Sequence, residues 1–145
     1  MVRMIGVLLR VETALALVLA RGMVFHLPLR WIRRLFTGAG IADDDAHQSE
    51  SAQCRARQVA HRVNHIGTRL PWRSTCLVRA VALKILLARR GIPGGIVRFG
   101  VRKTAGRLEA HAWVLRAGEP LIGGESAQSY APLADFGPGG DQRPQ

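Results

Sequence analysis

The stretch Pro71-Trp72-Arg73-Ser74-Thr75-Cys76 runs directly into Leu77-Val78-Arg79-Ala80-Val81-Ala82-Leu83-Lys84-Ile85-Leu86-Leu87-Ala88-Arg89-Arg90 and stops at Gly91-Ile92-Pro93. Ser74 or Thr75 is a good helix N-cap, Gly91 stands where a left-handed C′ residue belongs, and Pro93 lies beyond it. Between the caps only Arg79 and Lys84 interrupt the apolar residues before the closing arginines. A helix apolar almost all round is buried. The stretch therefore predicts a central core helix over 76–90 with a thiol at its first position. A thiol there meets unpaired backbone N–H groups and the positive end of the helix dipole, which favour thiolate over thiol.

Beyond that helix the chain reads as antiparallel sheet. Residues 95–103 alternate as a strand through Ile96, Val97, Phe99 and Val101, Thr104-Ala105-Gly106 turns, and residues 107–116 form the next strand. Alternation there puts Glu109, His111, Trp113 and Leu115 on one face and Ala110, Ala112 and Val114 on the other. Arg116-Ala117-Gly118 suits a three-residue hairpin with Gly118 at its left-handed position, leading to a third strand over 119–122. Residues 137–145 are Gly, Pro and polar, and are expected to be a disordered tail.

Upstream, residues 2–21 read as a first helix, Leu27-Pro28-Leu29 breaks it, and residues 29–36 form a second helix with Pro28 near its start. In that second helix Trp31, Ile32, Leu35 and Phe36 face the core, and Arg30, Arg33 and Arg34 face out. The first helix carries Arg10 and Glu12 inside it, so its uncharged run from Thr13 to Ala20 is far short of the ~20 residues needed to span a bilayer. Glu12 also argues against a signal peptide. The expected role of both helices is to cover the core, with peripheral membrane contact as a further possibility. Residues 38–49, with Gly38, Gly40 and Asp43-Asp44-Asp45, mark a linker. Residues 50–66 form an amphipathic helix with Val59, Val63 and Ile66 on its apolar stripe.

At 145 residues the chain is one domain with a single core. Cys54 and Cys76 are its two cysteines, too few for a disulfide framework and without metal-ligand spacing, which suits a reducing cytoplasm. His61 and His65 lie four apart with no third ligand nearby, so they read as surface histidines and no metal or cofactor is expected. Net charge is +11, and the segment from Ser51 to Leu108 holds thirteen Arg or Lys with no Asp or Glu. Such a block can bind nucleic acid, anionic lipid or an acidic partner. It lacks the interleaved aromatics of single-strand binders and any nucleic-acid-binding signature, so no nucleic-acid partner is expected.

Cys76 at a helix start and His111 on a later strand, 35 residues on, form the arrangement of papain-like cysteine hydrolases and of transglutaminases. An imidazole that takes the thiol proton makes the sulfur an activated nucleophile. Small Ala110 and Ala112 allow close packing behind the histidine, and Trp113 can shield an ion pair from water. The competing reading is structural: free cysteine is among the most buried residue types and is usually inert.

The block Thr75-Cys76-Leu77-Val78-Arg79-Ala80, with Leu83 and Leu86-Leu87, then Arg89-Arg90-Gly91-Ile92-Pro93, Gly100-Val101-Arg102-Lys103 and Ala110-His111-Ala112-Trp113-Val114, resembles the transglutaminase-like leader peptidases of lasso-peptide biosynthesis. The resemblance covers residues 72–133, and the length and apolar N-terminal helix resemble the split form, in which leader recognition belongs to a separate small protein. It implies an α+β papain/transglutaminase-like domain over 1–136, with an N-terminal helical segment 1–37, linker 38–49 and catalytic core 50–136. It also implies a cysteine peptidase that cuts the leader from a ribosomal precursor peptide, beside a leader-recognition protein and an ATP-dependent, asparagine-synthetase-like cyclase. Carried over by position, Cys76 is the nucleophile and His111 the general base and later acid. The family's acidic residue lies about twelve positions after the histidine, where this chain has Gly123. With the three-residue hairpin, Glu125 shares the face of His111 and is the candidate to orient it; with a two-residue turn it points away, and Asp135 is the weaker alternative. Acyl transfer to an amine, or a non-catalytic basic binding protein for nucleic acid or an acidic partner, are the other readings.

Overall fold

The computed structural model describes residues 2–37, 50–72, 74–137 and 140–142; the expected linker 38–49 lies outside the described residues, as do the side chains of Arg33, Leu35 and Phe36. Four helices precede the sheet: α1 (Val2–His26), α2 (Leu29–Thr37), α3 (Glu50–Gly67) and α4 (Cys76–Arg89). The strands are β1 (Ile96–Thr104), β2 (Arg107–Arg116), β3 (Glu119–Ile122), β4 (Ala131–Gly137) and β5 (Gly140–Gln142), with a 3-10 turn over Gly124–Ser129 between β3 and β4.

α4 forms as its caps dictate. Thr75 is the N-cap, with extended φ −67° and ψ 161°, and its Oγ1 accepts the Val78 N–H at 3.3 Å. At the other end Gly91 takes φ +60°, its N–H donates to the Ala88 carbonyl at 3.0 Å, and the Ile92 N–H donates to the Leu87 carbonyl at 2.9 Å. This is a Schellman stop, and the buried Ile92 supplies the apolar contact that accompanies it. Val78, the run from Ala80 to Leu83, Leu86 and Leu87 are buried at the centre of the molecule.

α1 runs past the expected Arg21 to His26, and the break falls at Leu27-Pro28. Its inner face, Thr13, Ala16, Leu17 and Ala20, is buried against α3 and α4. Thr13 Oγ1 donates back to the Leu9 carbonyl at 2.7 Å, which satisfies its buried hydroxyl. Glu12 pairs with Arg89 and Arg90 and ties α1 to the end of α4. The N-terminal helices are therefore built into the core layer.

The five strands are ordered β3-β2-β1-β4-β5, with every neighbouring pair antiparallel. Val97 and Val114 bury one face of the sheet against the helices. Two expectations are corrected. The β2–β3 hairpin has two loop residues, Ala117 at φ 50° and Gly118 at φ 76°, because Arg116 pairs directly with Glu119. Positive φ at both positions is the turn whose twist matches the strands, and it holds even with alanine at the first. An irregularity between Val114 and Leu115 then shifts the register, so that Val114 faces Ile122. The second correction concerns the tail: Gly137 closes β4, and residues 140–142 pair with it as β5. Residues 138, 139 and 143–145 lie outside the described residues.

Candidate active site

Cys76, half-buried, is the first residue of α4. The segment just before it is pinned to the end of α3. The buried Ser74 donates its hydroxyl to the Gly67 carbonyl at 2.6 Å and accepts from Arg79 Nε at 2.8 Å. Arg79 also donates to Asn64 Oδ1 at 3.0 Å. A Cβ at Gly67 would lie 3.0 Å from the Ser74 hydroxyl, so the glycine leaves room for this network. These polar links fix where the thiol sits, whereas the sequence marks Ser74 only as a possible cap.

His111 stands on β2 directly opposite Gly100 of β1. Gly100 is needed there, since a Cβ would come within 2.7 Å of the Trp113 ring. Trp113, itself buried, thus lies across β1 and stacks near His111, with ring centroids 5.7 Å apart and planes inclined by 24°. Tyr130, at the end of the 3-10 turn, lies 5.1 Å from the same imidazole. The Arg102 guanidinium sits 4.7 Å over the Tyr130 ring and is held by Glu109 at 2.7 Å. Hydrogen bonding to Glu109 raises the Arg102 pKa further above its ordinary value. Tyr130 is not among the expected site residues, and no local motif around it signals its place.

Among the described residues the imidazole has one hydrogen-bond partner, the Gly123 carbonyl, 2.8 Å from Nε2. A carbonyl oxygen only accepts, so Nε2 carries the proton and Nδ1 is the basic nitrogen. Gly123 reaches this position by leaving β3 with φ +73°, a left-handed turn into the 3-10 turn. A Cβ at Gly123 would meet the Ala112 carbonyl at 3.1 Å and His111 Nε2 at 3.3 Å. An acidic side chain at this position would be both strained and crowded.

Cys76, His111, Gly123 and Glu125 line one cleft of about 240 Å³, together with Asn64 and Arg79. Across it, no hydrogen bond joins Cys76 to His111. Glu125 lies on the exposed 3-10 turn and makes no hydrogen bond to the imidazole. β3 ends at Ile122, so Glu125 does not share a strand face with the histidine, although it lines the same cleft. Asp135 has another partner. It faces Arg98 across β4 and β1, accepting from its Nε at 2.7 Å and from a terminal nitrogen at 2.6 Å. His61 and His65 are exposed on α3 with ring centroids 6.2 Å apart, and His61 lines a groove that adjoins the cleft and shares Asn64, Gly123 and Glu125 with it.

Comparison with curated proteins and with solved structures finds no match. A family model, the transglutaminase-like superfamily, matches residues 19–135. That span contains α3, the cysteine helix, β1 to β3 and the cleft they enclose, and it covers most of the chain. The chain belongs to the transglutaminase-like superfamily.

Proposed function

We propose that the protein is a cysteine peptidase that removes the leader from a ribosomally made lasso precursor peptide. The observation that carries the reading is that Cys76, at a capped helix start, and His111, whose Nε2 proton is held by the Gly123 carbonyl, line the same cleft. Superfamily membership supports cysteine-dependent hydrolysis or acyl transfer, and the motif block from Thr75 to Val114 supports the leader-peptidase role.

In this mechanism Cys76 Sγ attacks the scissile carbonyl carbon, and its proton passes to His111 Nδ1. The backbone N–H of Cys76 helps hold the oxyanion of the tetrahedral intermediate. As the C–N bond breaks, the imidazolium returns the proton to the leaving amine, which becomes the new N-terminus of the core peptide. Water, deprotonated by the same imidazole, then attacks the thioester and releases the leader with a free carboxylate. The Gly123 carbonyl takes the place of the family's acidic residue in fixing ring and tautomer. Glu125 stays at the rim of the cleft, outside the proton path.

A separate leader-recognition protein presents the substrate, and an asparagine-synthetase-like cyclase consumes the freed N-terminus; the reaction itself needs no metal or organic cofactor and belongs in the cytoplasm. Arg55, exposed on α3, is one of the cations available to steer an acidic partner. The test is mass spectrometry of a precursor peptide incubated with the protein and its recognition partner. Leader release with a free carboxylate, absent in Cys76→Ala, is the expected result. An amide-linked product would replace hydrolysis by acyl transfer, and binding unchanged in Cys76→Ala without any turnover would make the protein a binding module.

A further inference from the structure

α1 buries one side and leaves the opposite side apolar. At 100° per residue, Met4, Leu8, Val11, Leu15 and Val18 recur at alternating steps of four and three and form one outward row. They are 65, 62, 51, 63 and 50% exposed, and Leu19 beside them is 55% exposed. At the corner between α1 and α2 the exposed apolar surface continues through Phe25, Leu27, Leu29 and Trp31. No described helix is long and apolar enough to cross a membrane.

Shallow grooves run along both sides of the row, and cations edge each of them. Arg89 of α4, paired with Glu12 of α1, borders one; Arg10 of α1 and Arg69 of α3 border the other. Arg30 and Arg34 are exposed on α2. Glu12 is the sole acidic residue among the described residues 2–37, and Arg89 and Arg90 hold it. A broad aliphatic strip whose flanking charges are mostly cationic fits a leaflet, with methyl groups at the acyl boundary and guanidinium groups at the phosphates. It fits a protein partner poorly. Hot spots between proteins centre on Trp, Tyr and Arg, whereas the central row of this face is Met, Leu and Val, with its one Trp at the far corner. Two copies meeting along α1 would bring arginine-edged grooves together.

We propose that the outward face of α1 seats the protein on an anionic membrane surface, with the helix lying in the plane of the leaflet. The proposal stands independently of the peptidase reading. It is tested by co-sedimentation of the full chain with vesicles of phosphatidylglycerol and phosphatidylcholine, and with vesicles of phosphatidylcholine alone. Binding to the anionic vesicles is expected to exceed binding to neutral ones by roughly tenfold or more at low salt and to fall as salt rises. The Leu8→Glu/Leu15→Glu variant changes two exposed positions and is expected to keep its circular dichroism and melting temperature while losing vesicle binding. Three results would overturn the proposal. One is no partition onto anionic vesicles, another is binding that the folded double variant retains, and the third is equal binding to both vesicle types. A dimer in sedimentation velocity that the double variant dissolves, without vesicle binding, would assign the face to a second copy of the chain.

Discussion

At Gly123 the main chain enters the left-handed region, with φ +73°, and brings its carbonyl 2.8 Å from His111 Nε2. Alanine at this position carries a left-handed penalty of ~1–2 kcal/mol and pushes its Cβ towards the Ala112 carbonyl. Gly123→Ala is therefore expected to lower kcat/KM for the proposed leader cleavage by roughly tenfold or more, while Glu125→Gln stays within about twofold of wild type. An 15N–1H spectrum of the neutral imidazole should place the His111 proton on Nε2 in the wild-type protein. A large loss in Glu125→Gln with none in Gly123→Ala would return the orienting role to the carboxylate. Cys76 and His111 are legible in the sequence because their side chains are chemically distinctive and their flanks carry cap and strand patterns. Gly123 is not, since every residue has a carbonyl and only the turn after β3 aims this one.

Among the elements, α4 is legible almost to the residue, because Thr75 and Gly91 act locally. The β2–β3 hairpin misleads because Ala117 takes a positive φ that alanine seldom adopts, which hides a two-residue turn behind a plausible three-residue one. β4 escapes notice because Pro132 and Ala134 blur its alternation, and its pairing partner β1 lies far back in the chain. Lys84, on α4, gives a pH test at this scale. It is largely buried, its Nζ donates to the Gly95 carbonyl, and burial pushes its pKa from 10.5 down to about 8. Between those values the unfolded chain binds more protons than the folded one, so this group makes stability rise with pH, by up to about 3 kcal/mol in all. Denaturant melts at pH values about two units apart within that window should show wild type gaining on Lys84→Met as pH increases. A pH-independent difference between the two would show that the ammonium is well solvated.

Across the whole molecule, α1 and α3 back α4, and α4 packs on the sheet. The exposed row on α1 is not legible in the sequence, because an apolar stripe does not say which of its sides meets the core. Arg116 joins these layers. Fully buried at the end of β2, it donates Nε to the Pro93 carbonyl at 2.9 Å and a terminal nitrogen to Gln53 Oε1 of α3 at 2.6 Å. Burial lowers its pKa from the ordinary value. Arg116→Ala would leave those acceptors dry and open a cavity, for an expected loss of about 2–4 kcal/mol. Arg116→Met, which keeps most of the volume, should lose less, and urea midpoints of the two variants measure the difference.

Arg116 has a consequence beyond stability. Side chains alternate along β2, so sliding the strand by one residue would turn His111 to the opposite face of the strand and carry the guanidinium away from the Pro93 and Gln53 acceptors. The Pro93 carbonyl and the Gln53 side chain would then lose their donor, a cost that a purely hydrophobic residue at this position would not impose. Arg116 thus couples the register of β2 to the site: the pairing that satisfies its hydrogen bonds is the one that presents His111 to the cleft.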